Sequence, residues 1–142
     1  MPIPSSSLAI RIYLEDTDAG GVVYHGSYVR FMERARTEWL RTLGLQQSTT
    51  FEENLSFVLH QLELRFERPA RLDQQLEVTC SPAALGAATI VFEQQVRDAH
   101  SGEICCRGRA TVACVQLQTL RPQRLPATLR AALGELPRPT RK

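Results

Sequence analysis

Lysine is almost missing from this 142-residue chain: of its 17 basic residues, only Lys142 is not arginine. Arginine suits bidentate contact with phosphate or carboxylate better than lysine does. An arginine-rich surface is nevertheless, first of all, a compositional bias spread over solvated faces. A strong charge of either sign is also lacking. The formal net charge is +2, which removes the electrostatic case for a nucleic-acid partner. No apolar run approaches the ~20 residues that a membrane span requires. The opening MPIPSSSLAIRIYLE lacks a basic region followed by an apolar one, so export is not expected. Cysteine is sparse: Cys80, Cys105, Cys106 and Cys114 form no C-x-x-C and sit in no zinc spacing with histidine. They read as small buried or edge hydrophobes in a reducing, cytoplasmic compartment. Adjacent Cys105 and Cys106 are expected to point to opposite faces of a strand.

Several catalytic signatures are absent as well. There is no Walker pattern, no G-x-G-x-x-G and no G-x-S-x-G, so a phosphate-cradling loop and a serine elbow are unsupported. A hydrophobic share of 43% against 23% charged is the balance of a globular protein, long enough to bury a core within one domain spanning 1–142.

Residues Leu8 to Leu14 alternate as a strand. From Tyr28 the apolar positions Phe31, Met32, Ala35, Trp39 and Leu43 continue a single helical stripe. Ser27 is the expected N-cap and Gly44 the expected residue just past the end, which predicts a helix over about Tyr28–Leu43. Arg34 and Glu38, four apart, are expected to pair on its exposed face. Beyond a polar linker, FVLHQLELRF, ARLDQQLEVTC, ATIVFEQQVRD and EICCRGRATVACVQL read as four more strands, the last two joined by the turn AHSG. The order β-α-β-β-β-β predicts an α+β fold, a largely antiparallel sheet with the helix on one face. The core is expected over about 8–126, and the Pro- and Arg-rich tail 127–142 carries a short helix in ATLRAALGEL. Long edge strands on such a sheet invite pairing with a second copy.

The stretch EDTDAGGVVYHGSYVRFMERARTEWL, Glu15 to Leu40, carries the chemistry. Counted from Asp16 as a calcium loop, the fifth position is Gly20 and the twelfth is Ser27, where an oxygen ligand and a glutamate are needed, so no metal is expected. Aspartates in a plain turn remain one reading of this loop taken alone. The other is acyl hydrolysis. Free N–H groups at a helix start can hold a carbonyl oxygen as it gains charge, and a carboxylate can activate water or attack directly. His60, in a strand, reads as structural, His100 as a solvated turn residue, and Glu33 as part of the helix's polar face.

The same stretch resembles the hotdog-fold acyl-CoA thioesterases of the 4-hydroxybenzoyl-CoA thioesterase class, and within it the YbgC type associated with the bacterial Tol-Pal envelope system. The core D-x-x-G-x-V-x-[HYF] stands here as Asp18, Gly21, Val23 and His25, and the likeness continues through RPARLDQQLEV and RGRATVACVQLQTLRPQRLP. The resemblance implies a long central helix wrapped by a curved five-stranded sheet. It also implies a homodimer with a continuous sheet, often paired again as a homotetramer. Asp18 would be the catalytic carboxylate and the helix start at Tyr24 and His25 the oxyanion site, with the His25 side chain also implicated. Asp16 is read as structural, and no cofactor is implied. The substrate would be an acyl-CoA or an acyl group on acyl carrier protein, with Gly21 and Val23 beside it. Arg68 and Arg71 of ERPAR and Arg121 and Arg124 of RPQR are candidates for the CoA phosphates, because both segments adjoin strand ends. A non-catalytic hotdog module that binds CoA esters, acyl carrier protein or an envelope partner is the alternative. Chelation separates a metal-dependent site from this reading: thiol release is expected to be unchanged after dialysis against EDTA, and loss of activity restored by a divalent ion would overturn it.

Overall fold

A computed structural model describes residues 5–46, 50 and 52–140. The elements run β1 (Ser6–Arg11), α1 (His25–Thr42), β2 (Leu55–Phe66), β3 (Gln75–Leu85), β4 (Thr89–Asp98), β5 (Ile104–Gln116) and α2 (Ala127–Leu133). The strands form one antiparallel sheet in the order β1-β3-β4-β5-β2. The α+β class, the element order along the chain and the antiparallel pairing are as expected; the order within the sheet places β1 and β2 at the two edges. Alternation along β3 is regular, every second residue being buried from Leu76 to Ala84, so one face of the sheet meets the helix and the other carries polar side chains. No helix among the described residues is long and apolar enough to cross a membrane.

Helix α1 lies on the apolar face. Tyr28, Phe31, Met32, Ala35 and Trp39 of the expected stripe are all buried, and Arg36 and Leu40 join them. Trp39 meets Phe92 of β4 edge to face, with ring centroids 5.0 Å apart. Beyond Leu43, Gly44 takes φ +78°, the Gly44 N–H donates to Arg41 O (2.9 Å) and the Leu45 N–H to Leu40 O (3.0 Å). That pair of bonds closes the helix as a Schellman motif, the task expected of Gly44.

Three local expectations are corrected. The helix begins at His25, one turn before Tyr28, and its N-cap is Tyr24 rather than Ser27. Ser27 is already in the first turn, its hydroxyl donating to the main-chain oxygen of Asp16 at 3.0 Å. Strand β1 stops at Arg11, because residues Leu14–Asp16 close a 3₁₀ turn, with Asp16 N–H on Tyr13 O (3.0 Å). Glu38 pairs with Arg41, one turn toward the C-terminus, instead of Arg34.

Packing continues past Pro126. Leu129 and Leu133 of α2 are fully buried, and the Leu85 N–H donates to Pro137 O at 2.9 Å, tying the tail to the end of β3. All four cysteines are buried and free. Cys105 and Cys106 are both buried although they are neighbours in a strand, and the N–H groups of Glu67 and Arg68 donate to Cys105 O at 2.8 and 3.1 Å. Burial pushes the thiol of Cys80 up to about 12 and that of Cys106 up to about 11.

Candidate active site

Between β1 and α1 the chain makes a small hairpin. Thr17 bridges Val23, the Asp18 N–H donates to Val22 O (2.9 Å), and the Gly21 N–H donates to Asp18 O (3.1 Å). Gly21 closes the turn at φ +80°, a conformation that an L side chain rarely adopts. The Asp18 carboxylate is exposed and accepts the Gly20 N–H at 2.8 Å, an Asx turn that fixes its Oδ1 and leaves Oδ2 to the solvent side.

Asp16 holds this hairpin to the helix. It is buried, its carboxylate accepts the Tyr13 N–H (2.9 Å) and an Arg30 guanidinium N–H (3.2 Å), and its carbonyl accepts the Tyr24 N–H (2.9 Å) and the Ser27 hydroxyl (3.0 Å). Arg30 in turn donates to the Ser27 hydroxyl at 3.1 Å.

The N–H of Tyr24 is committed to Asp16, so it cannot serve as an oxyanion donor. Among the described residues the N–H groups of His25 and Gly26 have no hydrogen-bond partner, and no side chain caps the helix. These two are the orphan donors of a helix N-terminus, where the peptide dipoles also favour negative charge. The His25 ring is exposed and lies against the Tyr24 ring, centroids 4.2 Å apart.

The segment ERPAR docks on the same corner. Val23 is buried and its N–H donates to Ala70 O at 2.8 Å, while the Ala70 N–H donates to the Tyr28 hydroxyl at 3.2 Å. Val22 bridges Arg71. An open depression of about 280 Å³ results, lined by Val23, His25, Tyr28, Phe66, Glu67, Arg68 and Pro69. Arg68 stands at its edge, half committed to Glu103 at 3.2 Å across an exposed pair of little energetic worth. Arg71 is exposed on the neighbouring turn. Arg121 and Arg124 lie elsewhere: the Arg121 carbonyl accepts the Gln116 N–H (2.9 Å) at the far end of β5. The length of that strand puts them roughly 35 Å away along the sheet from Cys105, whose carbonyl accepts the Arg68 N–H. One chain therefore gathers Asp18, Gly21, Val23, Tyr24, His25, Arg68 and Arg71 at one corner, and keeps Arg121 and Arg124 apart.

An antiparallel five-stranded sheet with a long helix on one face, and a carboxylate hairpin leading into that helix's bare N-terminus, defines the hotdog class of thioester-processing proteins. Residues 12–133 match the family described as the thioesterase-like superfamily, and the chain belongs to it. It is 42% identical over 131 residues to the acyl-CoA thioesterase YbgC of Haemophilus influenzae, covering 92% of this chain and 95% of that one. It is 38% identical over 120 residues to the acyl-CoA thioester hydrolase YbgC of Escherichia coli O6:H1, covering 84% and 89%. In fold it is similar to a 1,4-dihydroxy-2-naphthoyl-CoA thioesterase from Synechocystis, with a TM-score of 0.85 at 22% identity over 94% of this chain and 98% of the other.

Two contributors escaped the sequence reading. Arg30 was hidden because its partner Asp16 lies 14 residues away in a loop. Gly26 was hidden because its constraint is a ring: a Cβ at that position would come within 2.6 Å of the Tyr24 side chain. Gly26→Ala is expected to drive the Tyr24 ring off His25 and lower kcat/KM several-fold, while alanine's better helix propensity keeps the melting temperature at or above that of the wild type. Thiol release and thermal unfolding of the one variant check both halves.

Proposed function

We propose that the protein hydrolyses acyl-CoA thioesters, with Asp18 as general base and the N–H groups of His25 and Gly26 as the oxyanion site. The observation that carries this reading is the pairing of an exposed carboxylate with unpartnered N–H groups at the start of a buried helix. Water bound to Asp18 gives up a proton to it and attacks the thioester carbonyl. The carbonyl oxygen becomes an oxyanion facing His25 and Gly26, and donors so aligned are worth about 3–4 kcal/mol each. The tetrahedral intermediate then collapses, the C–S bond breaks, and the proton held by Asp18 is available to the departing thiolate. The products are the free acid and CoA thiol. A thioester suits so sparse a site, because its thiolate leaving group needs less protonation than an alkoxide or amine.

Asp18→Asn keeps the size and the Asx turn but removes the charge that the base requires. It is expected to lower kcat about 10²- to 10⁴-fold while the circular dichroism spectrum stays native. Near-normal thiol release by the folded variant would refute the role. In a single turnover in ¹⁸O-water the base route puts label only in the released acid, and label in Asp18 would establish attack by the carboxylate.

CoA binding is assigned to Arg68 at the rim of the depression and Arg71 on the neighbouring turn. Arg68→Ala is expected to raise KM several-fold with little change in kcat, as loss of uniform binding does. A wild-type KM would move the nucleotide elsewhere.

The active form is proposed to be at least a dimer, working in the cytoplasm. What supports association is β2, a 12-residue strand at the sheet edge with Val58 36% and Leu59 43% exposed. An unpaired edge of this length is a template for a second copy. Light scattering at assay concentration is expected to report twice the chain mass or more; a stable, active monomer would contradict it.

A further inference from the structure

Arg36 stands out among the residues that the proposed reaction does not use. It sits mid-helix on the core side and is only 7% exposed. Its Nη1 donates to Gln94 Oε1 at 2.9 Å. Gln94 is itself buried and fixed, its Nε2 donating to Met32 O (3.0 Å) and Thr79 O (3.3 Å). The guanidinium is thus held in one place by an amide that cannot swing. Yet among the described residues no carboxylate oxygen lies within 4 Å of it. Burial draws its pKa below the usual value, partly opposed by neighbouring groups including Glu33 at the surface. Among the described residues this buried cation, with five donors, has one hydrogen-bonded partner, a neutral amide, and is costly to keep unless something else meets it.

What it faces is a pocket. Arg36 lines a cavity of about 130 Å³ together with Glu33 and Thr37 of the same helix, and its remaining walls, among them Val29, Phe57, Leu59 and Phe92, are apolar. Apolar cavities of this order hold one small ring or a short run of methylenes. The pocket follows the helix away from the candidate active site. His25, Val29, Glu33, Arg36 and Leu40 recur at three- and four-residue spacing, so they form one stripe. Arg36 lies about 16 Å up the axis from His25, a distance shortened by the lean of helical side chains toward the N-terminus.

From this cavity and its unpaired cation we infer that the acyl subsite accepts a medium-length chain with an anionic far end. The Arg36 guanidinium would meet a terminal carboxylate, the apolar walls would take the methylenes, and the thioester carbonyl would rest at the helix start. Planar guanidinium and carboxylate match as a bidentate pair, and such a bond is strong where water is excluded. This inference rests on the thioesterase reading given above and names the class of acyl group for that site.

The test compares two CoA thioesters of equal length, octanoyl-CoA and the mono-CoA thioester of octanedioic acid, in the wild type and in Arg36→Met. The wild type is expected to favour the dicarboxylic substrate in kcat/KM by about tenfold or more, as a hydrogen-bonded charge pair allows. Arg36→Met is expected to bring the ratio of the two kcat/KM values to unity or below. A second measurement needs no variant: octanedioate is expected to inhibit the wild type at about one-tenth the concentration of octanoate. A wild type that prefers octanoyl-CoA, or equal inhibition by the two acids, overturns the inference while leaving thioester hydrolysis intact. A ratio unchanged in Arg36→Met also overturns it, and loss of the dimer in that variant would show the cation to be met by the second copy. Failure of the hydrolase reading is distinguishable, because the wild type would then release thiol from neither ester.

Discussion

Asp16 is the joint that holds the candidate site together. Four hydrogen bonds converge on one buried residue, two to its carboxylate and two to its carbonyl, and they come from three separate stretches of chain. The Tyr13 N–H belongs to the segment leaving the sheet. Tyr24 and Ser27 belong to the helix start, and Arg30 to the second turn. Each bond is worth about 1 kcal/mol net, and removing the carboxylate would leave the Tyr13 N–H and the Arg30 guanidinium without this acceptor at once. Geometry is the larger effect. By occupying the Tyr24 N–H and the Ser27 hydroxyl, Asp16 leaves His25 and Gly26 as the bare donors, and by anchoring the hairpin it holds Asp18 at the neighbouring turn.

This arrangement divides labour between two aspartates only two residues apart. Asp16 is inside and fully bonded, while Asp18 is outside with one oxygen tied to its own turn. Exposure is what lets a carboxylate meet water and substrate, and burial is what lets one organise a backbone. The ERPAR segment completes the corner from the other side, through the Val23–Ala70 and Ala70–Tyr28 bonds. Strand-edge pairing and helix capping thereby meet at a single point in the fold.

The sequence made the succession of strands and helix along the chain and the buried helical stripe legible, because both rest on periodicity. Tyr28, Phe31, Met32, Ala35 and Trp39 are buried as their spacing required. The helix start was misjudged by a turn for a definite reason. Serine is a strong N-cap by intrinsic preference, but the Ser27 hydroxyl is drawn to a carbonyl 11 residues upstream. Asp18 and His25 stood out through a spaced motif, whereas Gly26 and Arg30 depend on contacts that no spacing encodes. Arg36 was invisible for the opposite reason. A charged residue in an amphipathic run is assigned to the wet face, and only the packed structure reveals that it points inward. The sequence puts Arg121 and Arg124 beside a strand end, and within one chain that is the end of β5 far from Arg68.

The covered cysteines acquire a meaning beside the proposed reaction. Every turnover would liberate a thiol, and thiols and their disulfides exchange with any exposed thiolate they meet. In this chain all four sulfur atoms are buried, with Cys80 and Cys106 held protonated by pKa values of about 12 and about 11. The thiolate is the reactive species, so such groups are poor partners for a released thiol or its oxidised dimer. Packing that serves the core would, by the same burial, insulate the protein from the redox chemistry of its own product.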